Sequence, residues 1–201
     1  MFYDTANNRH GLAHDPFKAI VVPRPIGWIG TKGRDGSLNL SPYSFFNAIG
    51  DNPKMVMFSS SGPKHSARNA EETGVFTCNF VGRELVDAMN MSSIAVPYGE
   101  NEFEIAGLTP VFGELVDAPY VGEAAAALEC RVTEVVRPRT VDGVVADSIM
   151  VVGQVMGIHI DERIIRDGML DMSLARPVAR MGYLDYAEAS DTFPLRRPKA
   201  P

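Results

Sequence analysis

Three adjacent hydroxyls, a flexible turn and an ammonium group stand together in Ser59-Ser60-Ser61-Gly62-Pro63-Lys64-His65-Ser66, directly after the apolar run Met55-Val56-Met57-Phe58. That combination suits a phosphate monoester. The hydroxyls and Lys64 are donors, and Gly62 allows close approach of the backbone. A helix beginning here presents its unpaired N–H groups to an anion. Charge-assisted hydrogen bonds of this kind contribute ~1.5–3 kcal/mol each. The same residues also fit a surface loop whose serines cap a helix, and the local sequence leaves both readings open.

A second cluster precedes it, Leu38-Asn39-Leu40-Ser41-Pro42-Tyr43-Ser44-Phe45-Phe46-Asn47-Ala48. Small polar and aromatic residues alternate, and Pro42 removes a ladder donor, which places the stretch at a sheet edge or in a kinked strand. The free N–H and C=O groups of an edge can read the rim of a flat heterocycle, with Phe45, Phe46 or Trp28 over its apolar faces. Aromatics turned to the core and polar residues turned to solvent would give the same pattern.

Other chemistries find little support. The chain has no GxGxxG, no GxxxxGK[ST] and no HExxH. His10, His14, His65 and His159 are scattered, and Gly11 and Pro16 oppose a helix that would bring His10 and His14 together as metal ligands. Cys78 and Cys130 lie in apolar runs without a CxxC and are expected to be buried free thiols. With 19 Lys+Arg against 25 Asp+Glu, the net charge of −6 opposes general nucleic-acid binding. No signal peptide or membrane-spanning run is visible, so a cytoplasmic protein without membrane attachment is expected.

The elements that must position these residues are mostly β. The chain has 201 residues, 45% of them hydrophobic, enough for one well-formed core, and its 22% charged residues leave surface for a partner subunit. Gly and Pro punctuate short apolar segments throughout. Strands are predicted over Ala19–Val22, Ile26–Thr31, Ser37–Leu40, Ser44–Ala48, Lys54–Ser59, Val75–Phe80, Leu128–Val136, Val144–Val152 and Gln154–Ile160. Turns are predicted at Gly33-Arg34-Asp35-Gly36 and Val141-Asp142-Gly143. The run Glu123–Leu128 is ambiguous between helix and strand. Helices are predicted over Lys64–Thr73, closed by Gly74, over Glu84–Met91 and over Asp161–Arg166.

Taken together, several motifs resemble the flavin reductase-like, FMN-binding split β-barrel family. They are Arg24-Pro25-Ile26-Gly27-Trp28-Ile29-Gly30-Thr31, Asn39 to Asn47, Asn52-Pro53-Lys54, Lys64-His65-Ser66-Ala67-Arg68-Asn69 and Glu72 to Asn79. A weaker likeness continues through Gly153-Gln154-Val155, Ile158-His159-Ile160 and Pro177 to Gly182. The resemblance implies a single domain over residues 1–201: a six-stranded, Greek-key-like split barrel with a few short helices. It also implies a homodimer, with the N- and C-terminal extensions available to pack on the partner, and FMN at the subunit interface.

Carried over by residue, Ser41, Pro42, Tyr43, Ser44, Phe45 and Asn47 would line the isoalloxazine, largely through backbone groups. Ser59, Ser60 and Ser61 would meet the ribityl chain and phosphate, and Lys64, His65 and Ser66 would complete the phosphate site. Many relatives read Lys-Asp-Thr where this chain has Lys64-His65-Ser66. The hydroxyl is kept and a negative charge near the phosphate is lost. Arg180 and Tyr183 are within the family's reach of the flavin of either subunit. His159 reads as an ordinary strand histidine facing solvent or a partner.

The function so implied is an FMN-dependent oxidoreductase drawing electrons from NADH or NADPH and passing them to free flavin or another acceptor. The flavin carries the hydride chemistry and the protein positions and tunes it. The alternative is a flavoredoxin-like FMN electron carrier that serves a protein partner without nicotinamide turnover.

Overall fold

The structure is a computed structural model and describes residues 1–198. Its strands are β1 (Arg24–Pro25), β2 (Gly27–Lys32), β3 (Leu38–Tyr43), β4 (Phe46–Asp51), β5 (Lys54–Ser61), β6 (Val75–Asn79), β7 (Pro110–Phe112), β8 (Pro119–Val121), β9 (Ala126–Val136), β10 (Ser148–Ile160), β11 (Ile165–Arg166), β12 (Met169–Leu170), β13 (Val178–Arg180) and β14 (Tyr186–Glu188). Its α-helices are α1 (Phe17–Ile20), α2 (His65–Thr73), α3 (Val86–Met91), α4 (Glu102–Ile105) and α5 (Met172–Ala175).

The main sheet has seven antiparallel strands in the order β3-β2-β6-β9-β10-β5-β4. Its two edge strands, β3 and β4, are joined only by Ser44 and Phe45. Laid flat at the usual inter-strand spacing, the edges of seven strands would be on the order of 29 Å apart. The chain from Tyr43 to Phe46 reaches no more than about 11 Å. The sheet must therefore curl until its edges meet, and the Ser59 N–H donates to the Phe45 carbonyl at 2.8 Å, carrying the β4–β5 pairing into the link between the two edges. This is the expected mostly-β split barrel, with seven strands in its sheet where six were expected.

Local chemistry explains the turns. Gly36 at φ +87° closes the β2–β3 hairpin, and Gly143 at φ +81° sits in the β9–β10 connection. Both are left-handed positions that a side chain would strain. The period-two alternation of β2 sends Ile29 inward, to Phe58, Phe76, Cys130 and Val151. It sends Trp28 outward, to Leu40, Met89, Phe103 and Val121. Helix α2 presses Ala67 and Ala70 into the inner cluster. Cys78 and Cys130 are both buried free thiols.

Three local expectations are corrected. Ala19–Val22 is not a strand: Asp15 accepts the Phe17 N–H at 2.8 Å, and Pro16 leads into the single turn of α1. The segments Val144–Val152 and Gln154–Ile160 are not two strands. Val144–Ala146 stays in the turn, and β10 runs unbroken through Gly153 because β9 and β5 pair with it on either side. Asp161–Arg166 is not a helix. Asp161 caps the Arg163 N–H at 2.9 Å and starts only a 3₁₀ turn, after which Ile165 pairs with Leu170.

Candidate functional site

A cleft of about 450 Å³ lies along the seam of the barrel. Ser41, Pro42, Tyr43, Ser44 and Phe45 line it from the free edge of β3 and its short link to β4. Ser59 and Ser61 line it from the end of β5, and Lys64 from the start of α2. Strand alternation separates the three serines. Ser59 and Ser61 face the cleft, whereas Ser60 is buried and donates to the Gly62 carbonyl at 2.8 Å, shaping the turn. Gly62 itself has φ +77°. Asn47 lies elsewhere, exposed on β4, where its Oδ1 accepts the Ala48 N–H at 2.9 Å.

His65 and Ser66 line an adjoining chamber of about 260 Å³, which shares Ser41, Tyr43 and Lys64 with the cleft. The His65 ring meets Tyr98 edge-on at 5.1 Å. Ser66 is buried and donates to Asn39 Oδ1 at 2.8 Å when the amide is turned to satisfy both its ends. Asn39 Nδ2 then faces Glu102 at 3.3 Å. Glu102 Oε2 accepts the Leu40 N–H at 3.0 Å, and burial raises the Glu102 pKa.

Two features of this region call for a ligand. Tyr43 is 8% exposed, yet among the described residues its hydroxyl is the one buried side-chain polar atom with no hydrogen-bond partner. Leaving a buried hydroxyl unpaired costs about 1–3 kcal/mol, which a bound group would recover. In addition, no side chain caps the N-terminus of α2, beside Lys64, so its N–H groups remain open to an anion.

The electrostatics agree. In a chain of net charge −6, the cleft is lined by Lys18, Arg24, Lys64 and Arg180 and by no carboxylate. Arg24 is 6% exposed, and its guanidinium donates to the carbonyls of Lys18 and Val21 at 2.5 Å and of Met181 at 3.1 Å. Burial, followed by the nearby Arg180 guanidinium, lowers the Arg24 pKa. Arg180 and Tyr183, noted in the sequence, both line the cleft. Arg24 appeared there only inside a motif, and nothing local marked Lys18, which enters the cleft from α1.

His159, expected on a strand facing solvent or a partner, has a side chain 27% exposed that is also engaged within the chain. Its Nε2 lies 2.6 Å from Oε1 of the buried Glu129, and its ring stacks on Tyr120 at 4.4 Å. It does not line the cleft. No helix among the described residues is long and apolar enough to cross a membrane.

Fold and cleft define the class, a split β-barrel with a cationic cleft on its seam. Residues 19–174 match the flavin reductase like domain, and the chain belongs to that family. It is 36% identical over 183 residues to an uncharacterized protein of Halalkalibacterium halodurans, covering 89% of this chain and 87% of that protein. Among solved structures it resembles nitrilotriacetate monooxygenase component B from Bacillus cereus, with TM-score 0.86 and 28% identity over 97% of this chain and 98% of that one. It also resembles the flavoredoxin of Desulfovibrio vulgaris, with TM-score 0.78 and 26% identity over 87% and 91% of the two chains. Its function thus falls among flavin-linked oxidoreductases and electron carriers.

Proposed function

We propose that this chain binds FMN in the seam cleft and acts, as a homodimer, as an NAD(P)H-dependent flavin reductase. The observation that carries the reading is the carboxylate-free cleft, which joins Lys64 and the uncapped start of α2 to the open edge of β3. Lys64, Ser59 and Ser61 would hold the phosphate together with the α2 N–H groups. The Tyr43 hydroxyl gains a partner when the site fills. Ser41 to Phe45 offer edge N–H and C=O groups to the ring system, and Phe45 offers an apolar face.

The flavin supplies the hydride chemistry, so the chain needs no general base at the reacting atoms. Its residues bind, orient and shield from water. Geometry of this kind dominates the rate, because hydride transfer requires donor and acceptor held in near contact.

The test is to load the purified protein with FMN and mix it anaerobically with NADH or NADPH. Loss of the yellow colour within seconds supports the reductase. A second reading is favoured by the likeness to the Desulfovibrio flavoredoxin: an FMN carrier that passes electrons to a protein partner. Protein that binds FMN but is reduced by neither nicotinamide supports that reading instead. Protein that binds no FMN rules out both.

A further inference from the structure

The seam cleft carries no carboxylate, but the 260 Å³ chamber beside it does. Glu102 of α4 lines that chamber together with Lys64, His65 and Ser66. On the FMN reading, the phosphate sits at Lys64 and the start of α2. A buried carboxylate on the same small cavity is then a like charge, and like charges favour the protonated form of the weaker acid.

The surroundings of Glu102 show how a proton gained there would be felt. The Asn39 amide lies between Glu102 and Ser66, one end 2.8 Å from Ser66 Oγ and the other 3.3 Å from Glu102 Oε1. All three side chains are buried. The amide fits this gap in two orientations, and the protonation state of Glu102 selects between them. An ionised carboxylate can only accept. Asn39 Nδ2 then points to Glu102, and Asn39 Oδ1 accepts the hydroxyl proton of Ser66. A protonated Glu102 instead donates from Oε1 to Asn39 Oδ1. Asn39 Nδ2 then donates to Ser66 Oγ, and the Ser66 hydroxyl proton is free for the chamber it lines. The Leu40 N–H is held by Glu102 Oε2 in both states.

We propose that Glu102, Asn39 and Ser66 form a proton-linked relay for the cofactor phosphate. Entry of the phosphate is coupled to uptake of one solvent proton on Glu102, which turns Asn39 and frees the Ser66 hydroxyl to donate to a phosphate oxygen. This rests on the FMN reading. Burial already raises the Glu102 pKa, which brings its titration closer to neutral pH. The other titratable groups on the chamber are Tyr43 from β3 and Lys64 and His65 at the start of α2. Burial raises the Tyr43 pKa and keeps it a neutral phenol. Glu104, on the same helix as Glu102, is exposed and accepts from Asn101 Nδ2 at 3.0 Å.

Calorimetry of the apoprotein with FMN, and with riboflavin as the probe lacking a phosphate, tests the relay between pH 7 and pH 8.5. In that range the phosphate is already past its second pKa of about 6. FMN binding should take up close to one proton, counted from the heats in two buffers of different ionisation enthalpy, and riboflavin should take up none. By linkage, FMN affinity should fall about threefold or more across the range. The amide of E102Q donates to Asn39 as the protonated acid does. E102Q should therefore bind FMN independently of pH, and about threefold or more tighter than the wild type at pH 8.5. Adding S66A to E102Q should weaken FMN by about threefold or more and leave riboflavin unchanged. H65Q should keep the wild-type slope. The proposal is overturned if the wild type takes up no proton, if FMN and riboflavin show the same slope, or if E102Q keeps that slope. It is also overturned if H65Q abolishes the slope or if S66A leaves FMN affinity unchanged. In all these outcomes FMN still binds. A wild type that binds no FMN at any pH overturns this proposal and the cofactor reading together.

Discussion

His159 Nε2 lies 2.6 Å from Oε1 of Glu129, and the carboxylate it meets is 1% exposed. The same carboxylate accepts the N–H groups of Glu114, Leu115 and Val116 at 2.9, 2.6 and 2.9 Å. Adjacent strands supply the two side chains, Glu129 from β9 and His159 from β10. The pair therefore ties the loop after β7 to the barrel wall. A buried charge is tolerated there because nearly every lone pair is used.

This arrangement predicts an acid limb of stability. Burial pushes the Glu129 pKa up, but the Glu114 and Leu115 N–H groups, His159 and the Val116 N–H outweigh it and hold the pKa below the ordinary carboxylate value. A depressed folded pKa gives stabilisation that is present above the unfolded value of about 4.3 and is lost as pH falls through the folded one. At pH 7, E129Q should be less stable by about 1–3 kcal/mol, because an amide turns an N–H toward backbone donors. Thermal melts of wild type and E129Q from pH 7 to pH 3 should converge on the acid side. Parallel curves would count against the role given to this carboxylate.

The pairing also bears on electron transfer. Because His159 is engaged with Glu129 and Tyr120 and does not line the cleft, H159A should slow nicotinamide reduction of bound FMN less than tenfold, under about 1.4 kcal/mol in the barrier. Stopped-flow absorbance measures this directly. A hundredfold loss would move His159 into the reacting site.

Lys64 is the cation placed beside the open helix start. Lys64→Ala should cost ~1.5–3 kcal/mol of FMN affinity, roughly 10- to 150-fold in Kd. FMN should also bind more tightly than FAD. Fluorescence titration of the apoprotein reports both, and an alanine variant that binds FMN as tightly as its parent would remove Lys64 from the phosphate site.

Glu102 should behave in the opposite sense to Glu129. Burial raises its pKa, so ionisation costs stability as pH climbs from the unfolded value of about 4.3 through the folded one. Gln keeps an acceptor for the Leu40 N–H without the charge. E102Q should therefore match or exceed the wild type at pH 7, within ~1 kcal/mol or about 2–4 °C in Tm. E102A, which leaves that N–H bare, should lose about 1–3 kcal/mol. A sharply destabilised E102Q would show that the charge itself is needed.

Both thiols should be silent in the native protein. Burial pushes Cys78 up to about 12, and burial, with Cys78 and Glu129 nearby, drives Cys130 well above its usual value. Ellman titration at pH 8 should be slow on the folded protein and should count both thiols in denaturant. Sedimentation at micromolar concentration should give a dimer; a monomer would count against the proposed assembly.

Local residue chemistry determined a good deal by itself. Glycine in the hairpins, alternation along the strands and the Ser59–Ser66 run with its following helix all depend on neighbours within a few positions. The mostly-β character, and the hydroxyl-rich turn leading into a helix, were therefore legible. The phase of β5 was not, because three identical serines carry no alternation; only burial of Ser60 against Gly62 separates it from Ser59 and Ser61. The apolar look of Ala19–Val22 suggested a strand, but the Phe17 N–H bond to Asp15 and the helical backbone of Pro16 start a turn of helix there instead. Arg24 opposite Arg180, and His159 against Glu129, join residues distant in the chain. Their pairing follows from strand register and barrel closure. Those are set by which apolar faces must share one interior, a property of the whole chain that no short segment carries.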